Sequence, residues 1–422
     1  MTHQQLASKI LSLVINTKGI IANSDSAVIL YDLSLINRKI DELQKYFPAN
    51  TLHTAAIKAN PLLNILRFIQ QTGIGAEAAS LPELYLAQKS GFASNKIMFD
   101  SPIKTNEELK YALEENVHIN ADSLAEINRI AELKKKIKST STIGIRINPQ
   151  IGMGKIRMTS VAGEYSKFGV PIKEYRKELL DCFIKYAWLT GVHLHIGSQG
   201  CDIEMLVKGC KIIYDFAIEV NDRLNRKQID LFDIGGGMPV AYRKNETPPS
   251  MKEYSIFLRK YCPKLFTKDF KIITEFGRWI FANAGWTAAR VEYVKKSRMI
   301  DTIMIHLGAD MFIRKIYNPD DWHNEISVVN SKGKMKTGSK IKYNIAGPLC
   351  FAGDILEREI LLPEVEEGDY LIIHDTGAYT SSMWSRYNSR QFPKVIGYED
   401  DGKRFVILKE RESLQSVKKF WS

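Results

Sequence analysis

Ala55-Ala56-Ile57-Lys58-Ala59-Asn60-Pro61 marks the point at which a small-residue strand stops and a helix begins. A lysine there matters because parallel eight-stranded barrels hold their chemistry at the C-terminal ends of the strands. At the end of a buried strand, desolvation disfavours the ammonium and leaves the free amine that a Schiff base with an aldehyde requires. A lone lysine in such a place is more often a solvated loop residue. The rest of the chain decides between the two readings.

From Thr51 onward a short apolar strand and a longer amphipathic helix alternate every ~25 to 35 residues, as parallel βα units require. The pattern predicts eight strands, over 51–57, 75–78, 97–99, 117–120, 142–148, 191–196, 231–234 and 271–275. Helices fall between them, at 61–71, 81–89, 105–115, 123–136 and 202–224, several opened by Ser, Thr or Asp as N-caps. Eight such units imply a TIM-type (β/α)8 barrel over residues 46–285. Beyond it the texture shifts to β-branched and aromatic segments with turns at Ser331-Lys332-Gly333, Glu367-Gly368 and Asp400-Asp401-Gly402. Residues 286–422 therefore read as a mainly antiparallel β-domain. Residues 1–45 contain an early strand, 27–31, expected to join it, since chain termini often lie near each other.

A chain of 422 residues, 45% apolar and 25% charged, is globular in composition and long enough for two domains. Met1-Thr2-His3-Gln4-Gln5 lacks the basic flank and apolar stretch of a signal peptide, and no run approaches the ~20 apolar residues of a membrane span. The expected location is cytoplasmic. Five unpatterned cysteines without Cys-x-x-Cys point to neither a disulfide framework nor a metal site. The net charge of +11 is carried by lysines scattered along helices rather than interleaved with aromatics, so no nucleic-acid module is expected. Such a basic field still favours anionic ligands and substrates.

The residues able to do chemistry fall at the predicted strand ends. Lys58 ends the first strand, Arg146 lies near the end of the fifth and His195 ends the sixth. Asp233-Ile234-Gly235-Gly236-Gly237 leaves the seventh, and Glu275-Phe276-Gly277-Arg278 the eighth. Three glycines let backbone N–H groups approach an oxyanion, and an arginine after the next strand adds a charge-assisted fork. Together they read as a phosphate cradle where barrels commonly build one. A buried carboxylate at Glu275 needs a cationic partner, either Arg278 or Arg146 or a protonated ring nitrogen. His195 is either a satisfied core histidine or a flat group stacked on a cofactor ring.

Six motifs then occur in one order: Ala56-Ile57-Lys58-Ala59-Asn60, His193 to Gln199, Asp233 to Gly237, Glu275 to Arg278, Gly347-Pro348-Leu349-Cys350 and Gly377-Ala378-Tyr379. In these the chain resembles the fold-type III pyridoxal-phosphate decarboxylases, the group of diaminopimelate and ornithine decarboxylases. The resemblance runs from about Ala27 to Val417, and the tail from Tyr387-Asn388-Ser389-Arg390 is most similar to the diaminopimelate branch. It implies a homodimer that acts on an amino acid with pyridoxal 5'-phosphate, without nucleic acid or membrane. By the same resemblance Lys58 bonds the cofactor, His195 stacks on its ring and Glu275 pairs with the pyridine nitrogen. Ser198, Gly235, Gly236, Gly237, Arg278 and Tyr379 are implied to hold the phosphate, with Arg146 and Gly277 beside them. Cys350 resembles a thiol, donated across the dimer interface, that returns a proton to the product. Arg314 and Tyr317 resemble residues that grip the distal end of the substrate, with one residue less between them.

One departure stands out. Family members acting on a diamino acid usually carry an acidic residue after the cysteine, and this chain has Phe351, with Asp354 three residues on. Glu77 stands where the family more often has Asp. The resemblance therefore implies α-decarboxylation, of diaminopimelate to lysine by default, or of a different or tailored amino acid such as a siderophore or carrier-bound intermediate. A racemase would ordinarily need an arginine rather than Glu275 at the ring nitrogen. A silent cofactor-binding regulator would not need Lys58, Glu275 and Cys350 together.

Overall fold

Eight short strands, each buried on both faces, close on one another in the computed structural model, which describes residues 2–422. They are Leu52–Ala56, Gly75–Ala78, Ile97–Phe99, His118–Ala121, Ile143–Asn148, Leu189–His193, Leu231–Asp233 and Lys271–Phe276. Every neighbouring pair is parallel, and Glu275 opposite Thr54 closes the last strand on the first. Helices begin where the sequence offers caps: the side chains of Ser80, Thr105, Ser123 and Asp202 each accept a backbone N–H from the first turn.

The interior of this barrel is polar in one layer. Gly144 and Gly191 lie opposite each other, and a Cβ on Gly191 would stand 3.0 Å from the Gly144 Cα. A Cβ on Gly144 would collide with the Asn120 side chain, so the glycine leaves room for it. Asn120 accepts a hydrogen bond at 2.9 Å from His118 and donates at 3.2 Å to Asp233.

Only one barrel strand differs from the sequence expectation by more than one residue at either end. The sixth strand stops at His193 rather than 196. Beyond it the chain leaves the barrel ladder and pairs with the preceding loop, Val161 N–H donating to Ile196 and Ser198 N–H to Thr159, both at 3.0 Å. His195 thus sits on a loop held by residues 159–161. A further two-residue strand, Val170–Pro171, pairs with the end of Ile143–Asn148.

The barrel unit comprises residues 38–240 and 247–280; a second unit comprises 1–37, 241–246 and 281–422. The second is a mixed sheet, antiparallel except where Ala27–Asp32 runs parallel to Lys394–Glu399 and Asp301–Ile305 parallel to Lys340–Ala346. Its core joins Ile10, Leu11 and Val14 of the helix His3–Asn16 to Trp286, Ile396 and Tyr398 of the sheet. No helix among the described residues is long and apolar enough to cross a membrane.

Buried histidines tie stability to pH. Burial pushes His53 and His118 down to about 4, while their Nδ1 atoms bond Thr274 and Thr142 at 2.9 and 2.8 Å. A folded-state pKa below the unfolded ~6.5 contributes stability that is present above pH ~6.5 and lost as pH falls toward 4. The melting temperature should therefore drop between pH 7 and pH 5, and His118→Asn should shrink that drop. An unchanged drop in both His53→Gln and His118→Asn would remove these residues as the cause.

Candidate active site

Lys58 lies in a single 3-10 turn, Ile57–Ala59, that follows the first strand and is closed by the Asn60 N–H bonding the Ile57 carbonyl at 2.8 Å. Its ammonium donates to Glu77, which is fully buried on the next strand, while the lysine side chain is 38% exposed. Sequence alone suggested an amine neutralised by burial; the structure instead pairs it with a carboxylate. Burial pushes nearby Glu83 up to about 7, with Glu77 acting in the same sense.

Below this pair lies a buried cluster of Asp100, His193, Asp233 and Glu275, whose ligand-type atoms lie within 4.8 Å of one another. His193 bridges two of the acids, its Nδ1 3.2 Å from Asp100 and its Nε2 3.5 Å from Glu275. Three carboxylates cannot all ionise in so small a dry volume. Burial, then the Asp100 and Glu77 charges, raise Glu275 well above the ordinary carboxylate range, and burial, then Glu275, does the same to Asp233. Burial opposes charge on Asp100 too, but His193, Glu275, Arg146 and Lys58 together hold it low. Charge is thus favoured on Asp100 and disfavoured on Glu275 and Asp233. Glu275 Oε1 is buried without a hydrogen-bond partner among the described residues.

The glycine turn is positioned by the same residues. Asp233 accepts the Gly235 N–H at 2.9 Å, His195 Nδ1 accepts the Gly236 N–H at 3.2 Å, and the Gly235 carbonyl accepts the Glu275 N–H at 2.8 Å. Gly237, at φ +108°, approaches Gly197 so closely that a Cβ would stand 2.5 Å from its carbonyl oxygen. Ser198 Oγ accepts from Arg278 Nε at 3.0 Å, and Gly277 immediately precedes that arginine. Burial, then the Arg146 charge, lowers His195 well below its ordinary value, so it presents a neutral ring. Arg146 lies 3.7 Å from Asp122 and over the Phe168 ring at 4.5 Å.

In the sheet unit, Arg314 lies over the rings of Trp322 and Tyr379 at 4.8 and 4.5 Å. Tyr317 stacks with Phe351, ring centroids 6.4 Å apart, and Phe351 meets the edge of Tyr387 at 6.3 Å. Cys350 is exposed; its N–H donates to Asn388 Oδ1 at 2.8 Å and its carbonyl accepts from the Tyr387 hydroxyl at 3.4 Å. Asp354 corrects an expectation. Rather than facing outward for a substrate, its buried carboxylate accepts the N–H groups of Ala309 at 2.6 Å and Leu349 at 2.7 Å, tying two loops together.

Asp100, Asp122, Asn120 and the bridging role of His193 did not emerge from the sequence. Asp100 and Asp122 each directly follow a barrel strand, so the strand-end rule applied to acids would have found both.

An amine paired with a carboxylate, a neutral flat ring, a buried carboxyl with an orphaned oxygen and a glycine–serine–arginine cradle form the donor set of a barrel enzyme carrying a phosphorylated pyridine aldehyde. Residues 33–282 match the pyridoxal-binding domain of the pyridoxal-dependent decarboxylases. Among similar proteins is the diaminopimelate decarboxylase of Methanocaldococcus jannaschii, 31% identical over 85% of this chain and 81% of that protein. The Helicobacter pylori diaminopimelate decarboxylase is 32% identical over 92% and 93%. A crystal structure of the Helicobacter pylori enzyme complexed with L-lysine superposes with a TM-score of 0.83, covering 94% of this chain and 96% of that one at 29% identity. The chain belongs to the pyridoxal-dependent decarboxylases. It is accordingly a carboxy-lyase that uses pyridoxal phosphate.

His193→Gln should expose what the bridge does. With the imidazole gone, Asp100 and Glu275 face each other uncompensated. The apparent Kd for pyridoxal phosphate, measured by titration of the cofactor-stripped protein, should rise about tenfold or more, ~1.4 kcal/mol per decade. An unchanged Kd in a folded variant would reduce His193 to packing.

Proposed function

We propose that this chain removes the α-carboxylate of an amino acid as carbon dioxide, with the diaminopimelate reaction that names its relatives as the default. The observation that carries the reading is Glu275, a strand-end carboxyl whose burial favours a shared proton, which is backed by His193 and leaves one buried oxygen unpartnered among the described residues. When bound, pyridoxal phosphate supplies an electron-accepting ring that stabilises the charge left by departing carbon dioxide. Glu275 would pair as a carboxylate with the protonated ring nitrogen, its raised affinity for a proton favouring that shared hydrogen, and Asp100 and His193 lie against it on the other side. His195 offers an uncharged face to the ring. Gly235, Gly236, Gly237, Ser198 and Arg278 would hold the phosphate. Lys58 Nζ would be the amine that holds the aldehyde, with the Glu77 carboxylate placed to accept its proton. Glu275 is also what disfavours a racemase, since a protonated ring nitrogen directs electrons into the ring.

Cys350 Sγ is the proposed proton donor to the product. Its exposure supports a site shared between two copies of the chain, with each Cys350 serving the partner's barrel. A cytoplasmic location accords with the reduced thiols this donor needs.

A second reading of the substrate has its own support. Phe351 is packed between two tyrosines and Asp354 is spent on backbone N–H groups, so this loop offers no carboxylate to a distal ammonium. An amino acid whose far end is acylated or otherwise tailored, gripped by Arg314, Tyr317 and the aromatic pair, fits that lining.

The purified holoprotein should be yellow and release carbon dioxide from at least one amino acid in a panel, and borohydride should fix the cofactor on Lys58. Mixing Lys58→Ala with Cys350→Ala chains should restore part of the activity. Label on another lysine would overturn the cofactor assignment, and a mixed dimer as inactive as its parents would overturn the shared site.

Phe351→Glu tests the substrate. It should raise kcat/KM for diaminopimelate, lysine or ornithine about tenfold or more relative to the wild type, given ~1.4 kcal/mol per decade. If the wild type already turns over diaminopimelate efficiently and exclusively, and the variant gains nothing, the default substrate stands and Phe351 only packs.

A further inference from the structure

The sheet unit encloses a cavity of about 410 Å³ that plays no part in the chemistry above. That size lies within the ~300–1,000 Å³ range of small-molecule sites. Its charged lining consists of three arginines, Arg290, Arg390 and Arg411, against one carboxylate, Glu292, with His306 beside them. Arg290 is turned toward Glu292, at 2.9 and 3.1 Å, and toward the Asn23 carbonyl at 3.0 Å. Arg411 donates to the Ser24 carbonyl and to Gln391 at 2.8 Å. Arg390 donates to His306 Nδ1 at 2.7 Å, so that the imidazole acts as an acceptor and adds no positive charge. The Nε of Arg390 is buried without an acceptor among the described residues. A buried guanidinium N–H without an acceptor is costly, and guanidinium forks match carboxylate and phosphate oxygens. Asp310 lies within electrostatic reach of Arg390 but outside the lining, and neither Arg390 nor Arg411 forms an ion pair there among the described residues, so three arginines against one glutamate leave the lining a charge that a dianion would match.

The cavity also touches the loop that carries Cys350. Asn388 and Ser389 line it, both in the left-handed region at φ +54° and +52°, and the Asn388 side chain holds the Cys350 N–H.

We propose that this cavity binds a small dianionic oxyanion, a phosphate or a dicarboxylate, and that its occupancy sets the position of Cys350 through Asn388. The binding half is independent of the catalytic role assigned above, and the coupling half is read on the thiol itself. The test is calorimetric titration of the full chain loaded with pyridoxal phosphate, which keeps the barrel's own phosphate cradle filled, with inorganic phosphate and separately with succinate. One saturable site is expected. Arg390→Gln and Arg411→Gln should each weaken it about tenfold or more. Ser24→Glu sets a carboxylate at the exposed rim without removing an arginine, and should compete with the anion even if an arginine variant fails to fold. Saturation should also change the rate of Cys350 alkylation by iodoacetamide about threefold or more in the wild type and not in Ser24→Glu, a difference well below one decade of free energy. Response to phosphate alone points to a phosphate ester, and response to succinate alone to a dicarboxylate. No saturable binding of either anion, or binding untouched by all three variants, overturns the site. Binding that leaves the alkylation rate unchanged overturns the coupling.

Discussion

The imidazole of His193 between Asp100 and Glu275 is the interaction on which the barrel's chemistry depends. Placing three carboxyl groups inside a protein is unfavourable unless their charge is limited, and here His193 lies between two of them while burial disfavours charge on Glu275 and Asp233. Much of the geometry follows from that solution. Asp233, on the seventh strand, anchors the glycine turn through the Gly235 N–H; the turn in turn holds His195, and its carbonyl holds the Glu275 backbone. One polar layer thus fixes the Glu275 carboxyl, the neutral His195 ring and the glycine turn at once. The glycines at 144 and 191 belong to the same device, because a side chain on Gly144 would take the space that Asn120 fills and one on Gly191 would press on the Gly144 backbone.

The sequence made the barrel legible because its strands are short, apolar and evenly spaced, and because a strand buried on both faces cannot hide its composition. Strand ends carried the functional residues for the same reason: polar side chains appear where the apolar run stops. What escaped was whatever depends on two distant segments. The exposure of Lys58 and its pairing with Glu77 require the neighbouring strand to be placed, and the sixth strand ended early because residues 159–161 draw 196–198 away from the ladder. The helix His3–Asn16 escaped too, although Thr2 and Gln5 form a capping box and its apolar face is regular. Asp354 could not be read at all from its position, since a carboxylate three residues past a cysteine looks the same whether it meets a ligand or a backbone N–H.

The loop around Cys350 is built by two opposite strategies. One side is rigid: Asp354 binds Ala309 and Leu349, and Gly308 and Gly347 pack so close to it that neither position has room for a side chain. The other side is held by ring contacts, by the Tyr387 hydroxyl and by Asn388, whose backbone adopts a conformation that most residues avoid. The thiol therefore sits at the seam between a fixed hinge and an adjustable edge.

Ala27–Asp32 lies inside its sheet, hydrogen-bonded on one side to Gly285–Lys295 and on the other to Lys394–Glu399. On the ribosome, that strand emerges almost first, and its second neighbour emerges almost last. The intervening barrel segments have all been synthesised before either partner of the early strand exists, so the barrel can close while the first strand and the apolar face of the helix before it are still waiting. For most of its synthesis the nascent chain carries an unsatisfied strand edge near its beginning. Within this sequence, the sheet unit can therefore complete its pairing only after every barrel segment has been made.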